Sequence, residues 1–235
     1  MHFRKILSAG TIALGLSVGP TIAADNVPYV VRGNTHMLIG VTFDEAAVRE
    51  ILPAGLEPAE GMSGGIQVYN SGGGEGVAAY SRSYAWVDLA GYDSITGSKG
   101  RYILWLADTA HAEKMGKIGY ITTAGDVSLG ETDGSLTGVV KVGGAEVWTG
   151  SVEAGDCGPG TGSINYPSMP KWGDSMAVTQ YAFAGKFCGA KMTAIEFKVS
   201  GDHPLAKLNP QPAGWAAVAR DLSFSATPAM PLPKK

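Results

Sequence analysis

Glycine is the feature of this sequence that most restricts the folds open to it. Thirty-four of the 235 residues are glycine, about twice the average usage of roughly 7%. The glycines are scattered and do not recur at every third position, which excludes a collagen triple helix. The runs between them are rich in Val, Ile, Thr, Tyr and Trp, residue types that favour strands. The sequence therefore predicts a β protein with many turns.

Strand-like runs recur at short intervals from residue 29 to residue 224, and they are too many for a small sheet. Asp133-Gly134 and Gly143-Gly144 separate neighbouring runs by two residues, as in tight hairpins. No internal repeat, charge run or low-complexity linker divides the chain after residue 24. We therefore predict a single domain over 25–235, folded as a large, curved, mostly closed antiparallel β-barrel.

Two short helices are expected to interrupt the strands. Thr42 is followed three residues later by Glu45, which predicts a capping box at the start of the first helix. The second is expected to begin at Asp108 and to end at Gly116, a residue type common just after helices. Neither segment is long enough to form a separate domain.

The first 24 residues have the pattern of a secretory signal peptide. Arg4 and Lys5 precede an apolar stretch, and Thr21-Ile22-Ala23-Ala24 resembles a cleavage site with small residues. The apolar stretch is shorter than the roughly 20 residues of a membrane anchor and is interrupted by glycine. We therefore expect a periplasmic or secreted protein without a membrane span.

The two cysteines agree with export. Cys157 and Cys188 are the only cysteines in the chain, and two thiols in an oxidising compartment most simply form one disulfide. A catalytic thiol or a metal ligand is the alternative, but the spacing typical of such sites is absent. The sequence therefore predicts a Cys157–Cys188 disulfide.

Charge and motifs exclude several function classes. The net charge of −3 disfavours a nucleic-acid partner, because nucleic-acid-binding proteins usually carry a basic patch. His36, His111 and His203 lack the paired spacing of a zinc site, and we expect them at the surface or at helix starts. Gly72–Gly76 lacks the Gly-Lys-Ser/Thr ending of a phosphate-binding loop. We predict no metal and no cofactor.

The order of elements resembles the acetoacetate decarboxylase-like family. Residues 42–58 are similar to the family's opening helix and its following LP-x-GL-x-P turn. The strand ending at Val77–Arg82 is similar to the family strand that carries Y-x-E. Gly100-Arg101-Tyr102 begins a strand leading to Ala112–Gly119, where the family has GRE-x-x-G and a lysine-bearing strand. The resemblance implies a β-barrel with an interior site for a keto acid.

The family's chemistry needs a lysine in an apolar pocket, where desolvation and a neighbouring cation lower the pKa of the amine so that it can form a Schiff base. Matched to that pattern, the lysine position falls on Gly119. The Y-x-E glutamate falls on Arg82, and the GRE arginine falls on Ala112. The resemblance thus implies a divergent member without the decarboxylase machinery.

One shifted amine remains as an alternative. A strand is predicted over Lys117–Thr123. Lys117 lies two residues from Gly119, and residues two apart in a strand point to the same face. Lys117 could then be catalytic, with Glu113 as a second candidate. Solvent exposure of Lys117 is the competing interpretation, because lysine is seldom buried.

Aromatic residues and one arginine share a strand face near the middle of the chain. Tyr80, Arg82 and Tyr84 alternate along this strand and therefore point the same way. We predict that they form a ligand site with Tyr120, Glu113 and Lys117, and that Arg82 is the counter-ion of an acidic or carbonyl-containing organic molecule. These side chains could equally shield the core or face solvent.

The sequence leaves three functions open. The first is an exported protein that binds a small, possibly anionic organic molecule without Schiff-base chemistry. The second is a lyase, hydratase or aldolase acting on a keto acid through Lys117. The third is a structural or interaction protein whose barrel is filled with side chains. An oligomer is compatible with each of them.

Overall fold

The computed structural model describes residues 29–171 and 175–232. The proposed signal peptide lies outside the described residues. The chain is mostly β, as the sequence predicts. The strands are β1 Tyr29–Thr42, β2 Ser63–Ser71, β3 Gly74–Glu75, β4 Tyr80–Leu89, β5 Gly100–Asp108, β6 Thr122–Ala124, β7 Asp126–Thr132, β8 Ser135–Val142, β9 Ala145–Ser168, β10 Ala177–Phe197, β11 Gln211–Ala226 and β12 Met230–Pro231.

The helices are α1 Glu45–Ile51, α2 Ala112–Lys117 and α3 Pro204–Leu208, with a short 3-10 turn at Glu60–Met62. Asp44, rather than Thr42, caps α1, and its side chain accepts a hydrogen bond from the backbone N–H of Ala47. The third helix is too short to give a periodic signal in the sequence. No helix in the described part of the chain has the length and apolar character needed to cross a bilayer.

The strands form one sheet that hydrogen bonds do not close. Its order is β6-β5-β4-β2-β1-β11-β10-β9-β8-β7, with β3 and β12 as short additions. The end strands β6 and β7 do not pair with each other; they are consecutive in the chain and separated by Gly125. The expectation of a mostly closed barrel is therefore wrong, because the chain turns from one end of the sheet into the other without forming a ladder there.

The central strands β1, β2 and β4 are covered on both faces. One face carries Met37, Ile39 and Val68, which are fully buried. It packs against the returning strands β7–β9, and the Trp148 indole N–H on β9 donates to the Ser83 hydroxyl on β4 (3.1 Å). The sheet therefore folds back on itself to make a solid core on this side.

Two glycines set the spacing of that core. Gly138 on β8 lies opposite Gly150 on β9 in the register. A Cβ atom at Gly138 would lie 2.5 Å from Val68 Cγ1 and 2.8 Å from Met37 Cε, and one at Gly150 would lie 2.9 Å from Ile39 Cδ1. The close approach of the two layers therefore requires residues without side chains at these positions.

The hairpin of β9 and β10 contains a segment whose composition does not favour strands. Its middle is rich in glycine and contains Pro159, a composition typical of a loop, yet Cys157–Asn165 pair in register with Gln180–Cys188. The rings of Phe187 and Phe183 lie over Gly160 and Gly162, which covers backbone that glycine would leave exposed. Cys157 and Cys188 are directly opposite and form the predicted disulfide.

Adding a methyl group at Gly138 tests the packing of the two layers. Gly138→Ala is expected to lower the free energy of unfolding by about 1–3 kcal/mol, because Val68 has no room to move away. Gly130→Ala is the matched control, since a Cβ atom there has no neighbour within 4 Å. Urea denaturation of both variants measures the difference, and equal midpoints would contradict the proposed packing.

Candidate functional site

The face of the central strands opposite the solid core lines a cavity of about 310 Å³. Strands β1, β2, β4 and β5 contribute alternate residues, and β9–β11 with the segment after α2 cover it. The lining residues are His36, Leu38, Gln67, Tyr69, Arg82, Tyr84, Arg101, Ile103, Met115, Ile118, Tyr120, Ile164, Tyr166, Thr179, Tyr181, Phe183, Phe187, Trp215, Ala217, Ala219, Leu222 and Phe224.

Three of the six predicted ligand-binding residues line this cavity: Arg82, Tyr84 and Tyr120. Tyr80 lies just behind the lining. Its hydroxyl is 3.1 Å from the hydroxyl of Tyr69, and its ring centroid is 4.8 Å from the guanidinium carbon of Arg82. Tyr80 therefore supports the wall without being part of it.

Glu113 and Lys117 are not among the lining residues. They form an i,i+4 ion pair on α2 with an Nζ–Oε1 distance of 3.0 Å, and their side chains are 86% and 64% exposed. The strand predicted over Lys117–Thr123 is wrong at its start, because α2 continues to Lys117 and β6 begins only at Thr122. The prediction that the Lys117 side chain faces the site depended on a strand at this residue.

Gly119 occupies the turn after α2 and has no space for a side chain. Its φ of +101° is in the region that favours glycine, and a Cβ atom there would collide with the backbone carbonyl of Met169. Backbone packing thus restricts to glycine the position that the resemblance matched to the reactive lysine.

Arg82 is buried and paired with a carboxylate behind the wall. Its Nε donates to Oδ2 of Asp108 (2.6 Å), while Oδ1 accepts from the backbone N–H groups of Ala110 and His111. Burial alone would raise the pKa of Asp108, but Arg82 and these two N–H groups outweigh burial and lower it. Asp108 is therefore ionised, and much of the charge of Arg82 is compensated.

Arg101 is the second guanidinium of the cavity, and its charge is less compensated. Its guanidinium carbon lies 4.4 Å from the ring centroid of Trp86. Its Nε is 3.6 Å from Oδ1 of Asp88, too far for a good hydrogen bond, and Nε has no hydrogen-bond partner among the described residues. Arg101 thus lines the cavity with a buried donor that has no close acceptor.

A hydrogen-bonded row of polar side chains crosses the cavity wall from β9 to β1. The hydroxyls of Tyr166 and Tyr84 are 2.9 Å apart, and the Tyr84 hydroxyl donates to Oε1 of Gln67 (3.1 Å). Nε2 of Gln67 lies 2.6 Å from Nδ1 of His36. Arg101 lies beside the row and interacts with Tyr166 and Tyr84.

Burial keeps one histidine and four tyrosines of this wall uncharged at neutral pH. It lowers the pKa of His36 to about 3 and raises the pKa values of Tyr69, Tyr84, Tyr120 and Tyr181 well above the ordinary tyrosine value. The described lining contains no lysine and no carboxylate. It therefore presents two fixed cations, several neutral hydroxyls and apolar rings.

The sequence did not identify His36, Arg101, Tyr166 or Tyr181 as site residues. The expectation that His36 lies at the surface or a helix start is wrong, because its side chain is stacked on Tyr69 inside the cavity. His203 does cap a helix, α3. The available signal for Arg101 was a charged residue in an otherwise apolar strand, at an alternate position to Ile103.

Within residues 29–171 and 175–232, no group of three or more His, Cys, Asp or Glu residues is arranged to hold a metal ion.

The sequence matches no protein-family model. No curated protein matches it.

Solved structures share its architecture. Acetoacetate decarboxylase from Legionella pneumophila has a TM-score of 0.68 and 14% identity, covering 97% of this chain and 98% of its own. The fold is acetoacetate decarboxylase-like. An acetoacetate decarboxylase-like enzyme from Sphingomonas wittichii has a TM-score of 0.65 and 15% identity, with coverages of 96% and 100%. The enduracididine biosynthesis enzyme MppR, complexed with pyruvate, has a TM-score of 0.65 and 13% identity, with coverages of 93% and 96%. The resemblance inferred from residues 42–119 is confirmed at the level of fold.

The neutral, buried His36 predicts a specific pH dependence of stability. Below about pH 6.5 the unfolded chain protonates this imidazole, whereas the folded chain does so only near pH 3. Stability is thus lost as the pH falls through this window. From pH 7 to pH 4 the His36 contribution to the free energy of unfolding should fall by about 3 kcal/mol.

Urea denaturation of the wild type and His36→Asn across this range isolates the contribution of His36, because the other histidines titrate in both proteins. The wild type should lose more stability than the variant as the pH falls. Parallel pH profiles would show that His36 is protonated in the folded protein.

Proposed function

We propose that this protein binds a small organic acid in the interior cavity, without forming a Schiff base. The single observation that carries the proposal is the charge of the lining. Arg82 and Arg101 are the charged side chains among its described residues, and no lysine or carboxylate accompanies them. Fixed guanidinium groups in apolar surroundings favour a carboxylate ligand.

Arg101 is the better counter-ion of the two. Arg82 was the residue predicted for this role, but its Nε is already bonded to Asp108. Arg101 retains a buried donor without a partner, and an unsatisfied buried donor gains most from a ligand acceptor. The ligand carboxylate is therefore assigned to Arg101, and Arg82 adds positive potential.

The absence of an amine in the described lining supports binding over Schiff-base chemistry. A Schiff base needs a neutral amine within reach of the ligand carbonyl, and the exposed ion pair on α2 holds Lys117 outside. The loss of the family's lysine is part of this proposal, supported by the backbone packing at Gly119.

The related fold of MppR has been solved with pyruvate bound. This supports a ligand site of the same general kind in the present chain. A barrel filled with side chains, the structural alternative, is disfavoured by the cavity of about 310 Å³, which is at the lower end of the range for small-molecule sites.

Export to an oxidising compartment is also part of the proposal. It is supported by the leader pattern of residues 1–24 and by the Cys157–Cys188 disulfide. Amino-terminal sequencing of protein from the periplasm or medium should begin at residue 24 or 25, and a mature chain that retains Arg4 and Lys5 would contradict export.

Removal of the Arg101 charge tests ligand binding. Aliphatic acids such as 4-oxopentanoate and heptanoate are expected to raise the melting temperature of the wild type. At 100 times the dissociation constant, a ligand adds about 2.7 kcal/mol to the free energy of unfolding. Arg101→Gln should weaken their binding about 10-fold to 100-fold, the worth of a hydrogen bond to a charged group. Arg49→Gln, at an exposed arginine on α1, should bind as the wild type does.

Borohydride reduction in the presence of 4-oxopentanoate tests the amine alternative in the same preparation. Mass spectrometry should find no reduced adduct on the protein. A stoichiometric adduct on Lys117 would establish the keto-acid enzyme and refute the binding-only proposal, whereas a melting temperature unaffected by every acid would refute both.

A further inference from the structure

The polar row across the cavity wall has a single direction of hydrogen donation. A tyrosine hydroxyl has one proton to donate. Because Tyr84 gives its proton to Oε1 of Gln67, the contact between Tyr84 and Tyr166 must be donated by Tyr166. The donation therefore runs from Tyr166 through Tyr84 toward Gln67.

The same row fixes the tautomer of His36. With Oε1 of Gln67 accepting from Tyr84, the amide Nε2 faces Nδ1 of His36 at 2.6 Å. An amide nitrogen can only donate, so Nδ1 must accept. A neutral imidazole carries its proton on the other nitrogen. His36 is thus an Nε2–H donor.

That donor has no acceptor among the described residues. His36 Nε2 is buried without a hydrogen-bond partner, and the side chain, 5% exposed, lines the cavity. Its ring neighbours offer little: Tyr69 stacks on it at 4.3 Å and already shares its hydroxyl with Tyr80, and Phe224 is apolar. A buried N–H group without a partner is costly, and a ligand oxygen would satisfy it.

We propose that His36 donates its Nε2–H to an uncharged oxygen of the ligand, and that Gln67, Tyr84 and Tyr166 are positioning residues that hold this donor in place. The inference rests on the proposed function and extends it to the ligand's second recognised group. His36 ends the row on β1, and Arg101 on β5 lies beside the other end, where it interacts with Tyr166.

The positions of these two donors restrict the ligand. Strands β2 and β4 separate β1 from β5, and neighbouring strands lie about 4.8 Å apart. A ligand that reaches both donors therefore carries its carbonyl several bonds from its carboxylate. The ligand class is an oxo acid with a remote carbonyl, longer than a 2-oxo acid.

The tautomer can be measured without any ligand. Long-range ¹H–¹⁵N correlation spectra of ¹⁵N-histidine-labelled protein at pH 7 should show His36 neutral and protonated at Nε2. Tyr84→Phe removes the proton donated to Gln67 while keeping the ring, and the Nδ1-protonated form should then become populated. A wild-type His36 protonated at Nδ1, or at both nitrogens, overturns the assignment.

Matched ligands and variants test the contact itself. Calorimetry compares 6-oxoheptanoate with heptanoate, which differ by one carbonyl oxygen, and 2-oxobutanoate with butanoate as the short pair. The wild type should prefer 6-oxoheptanoate about tenfold over heptanoate and should show less preference within the short pair. His36→Asn retains an acceptor for Gln67 but lacks the Nε2 donor, so the preference should vanish. His36→Gln places an amide N–H near the position of Nε2 and should recover part of it.

The outcomes separate this inference from the proposed function. If the wild type and His36→Asn both bind the four acids and show the same preferences among them, the role of His36 is wrong and acid binding stands. If only the short pair is discriminated, the remote carbonyl is wrong. If the wild type binds none of the acids, the proposed function fails and the role of His36 fails with it.

Discussion

The close packing of two layers at Gly138 and Gly150 is the constraint on which the rest of the structure depends. Because neither residue has a side chain, β8 and β9 approach Met37, Ile39 and Val68 closely enough to exclude space between the layers. This gives the central strands a solid support on one face. Their other face can then surround a cavity, because the rigidity of the wall comes from the packed side.

The two buried guanidinium groups of the cavity have different partners. Asp108 is fully occupied by Arg82 and two backbone N–H groups, an arrangement that satisfies a buried pair and ties β4 to the end of β5. Arg101 has a stacked indole, a more distant carboxylate and tyrosine hydroxyls in place of a closely bound carboxylate. The proposed ligand site rests on this buried cation with an unpaired donor.

Much of the fold was predictable because it follows from local chemistry. Asp133-Gly134 and Gly143-Gly144 form the predicted turns, with positive φ at each residue. The disulfide followed from having two cysteines and a leader pattern. The glycine-rich part of β9 was not predictable, because its strand conformation depends on a neighbouring strand and on the rings of Phe183 and Phe187, which local composition does not specify.

The sequence by itself determined the β class, the turns, the disulfide and the face shared by Arg82 and Tyr84, since these depend on residue type and on the two-residue period of a strand. Only the tertiary structure decided that Lys117 points away from the cavity, that the sheet stays open between β6 and β7, and that His36 and Arg101 face one hollow. Those facts depend on where distant strands and a helix end bring side chains in space. Because α2 includes Lys117 and β6 begins only at Thr122, Lys117 lies on a helix and not on the strand that was predicted for it.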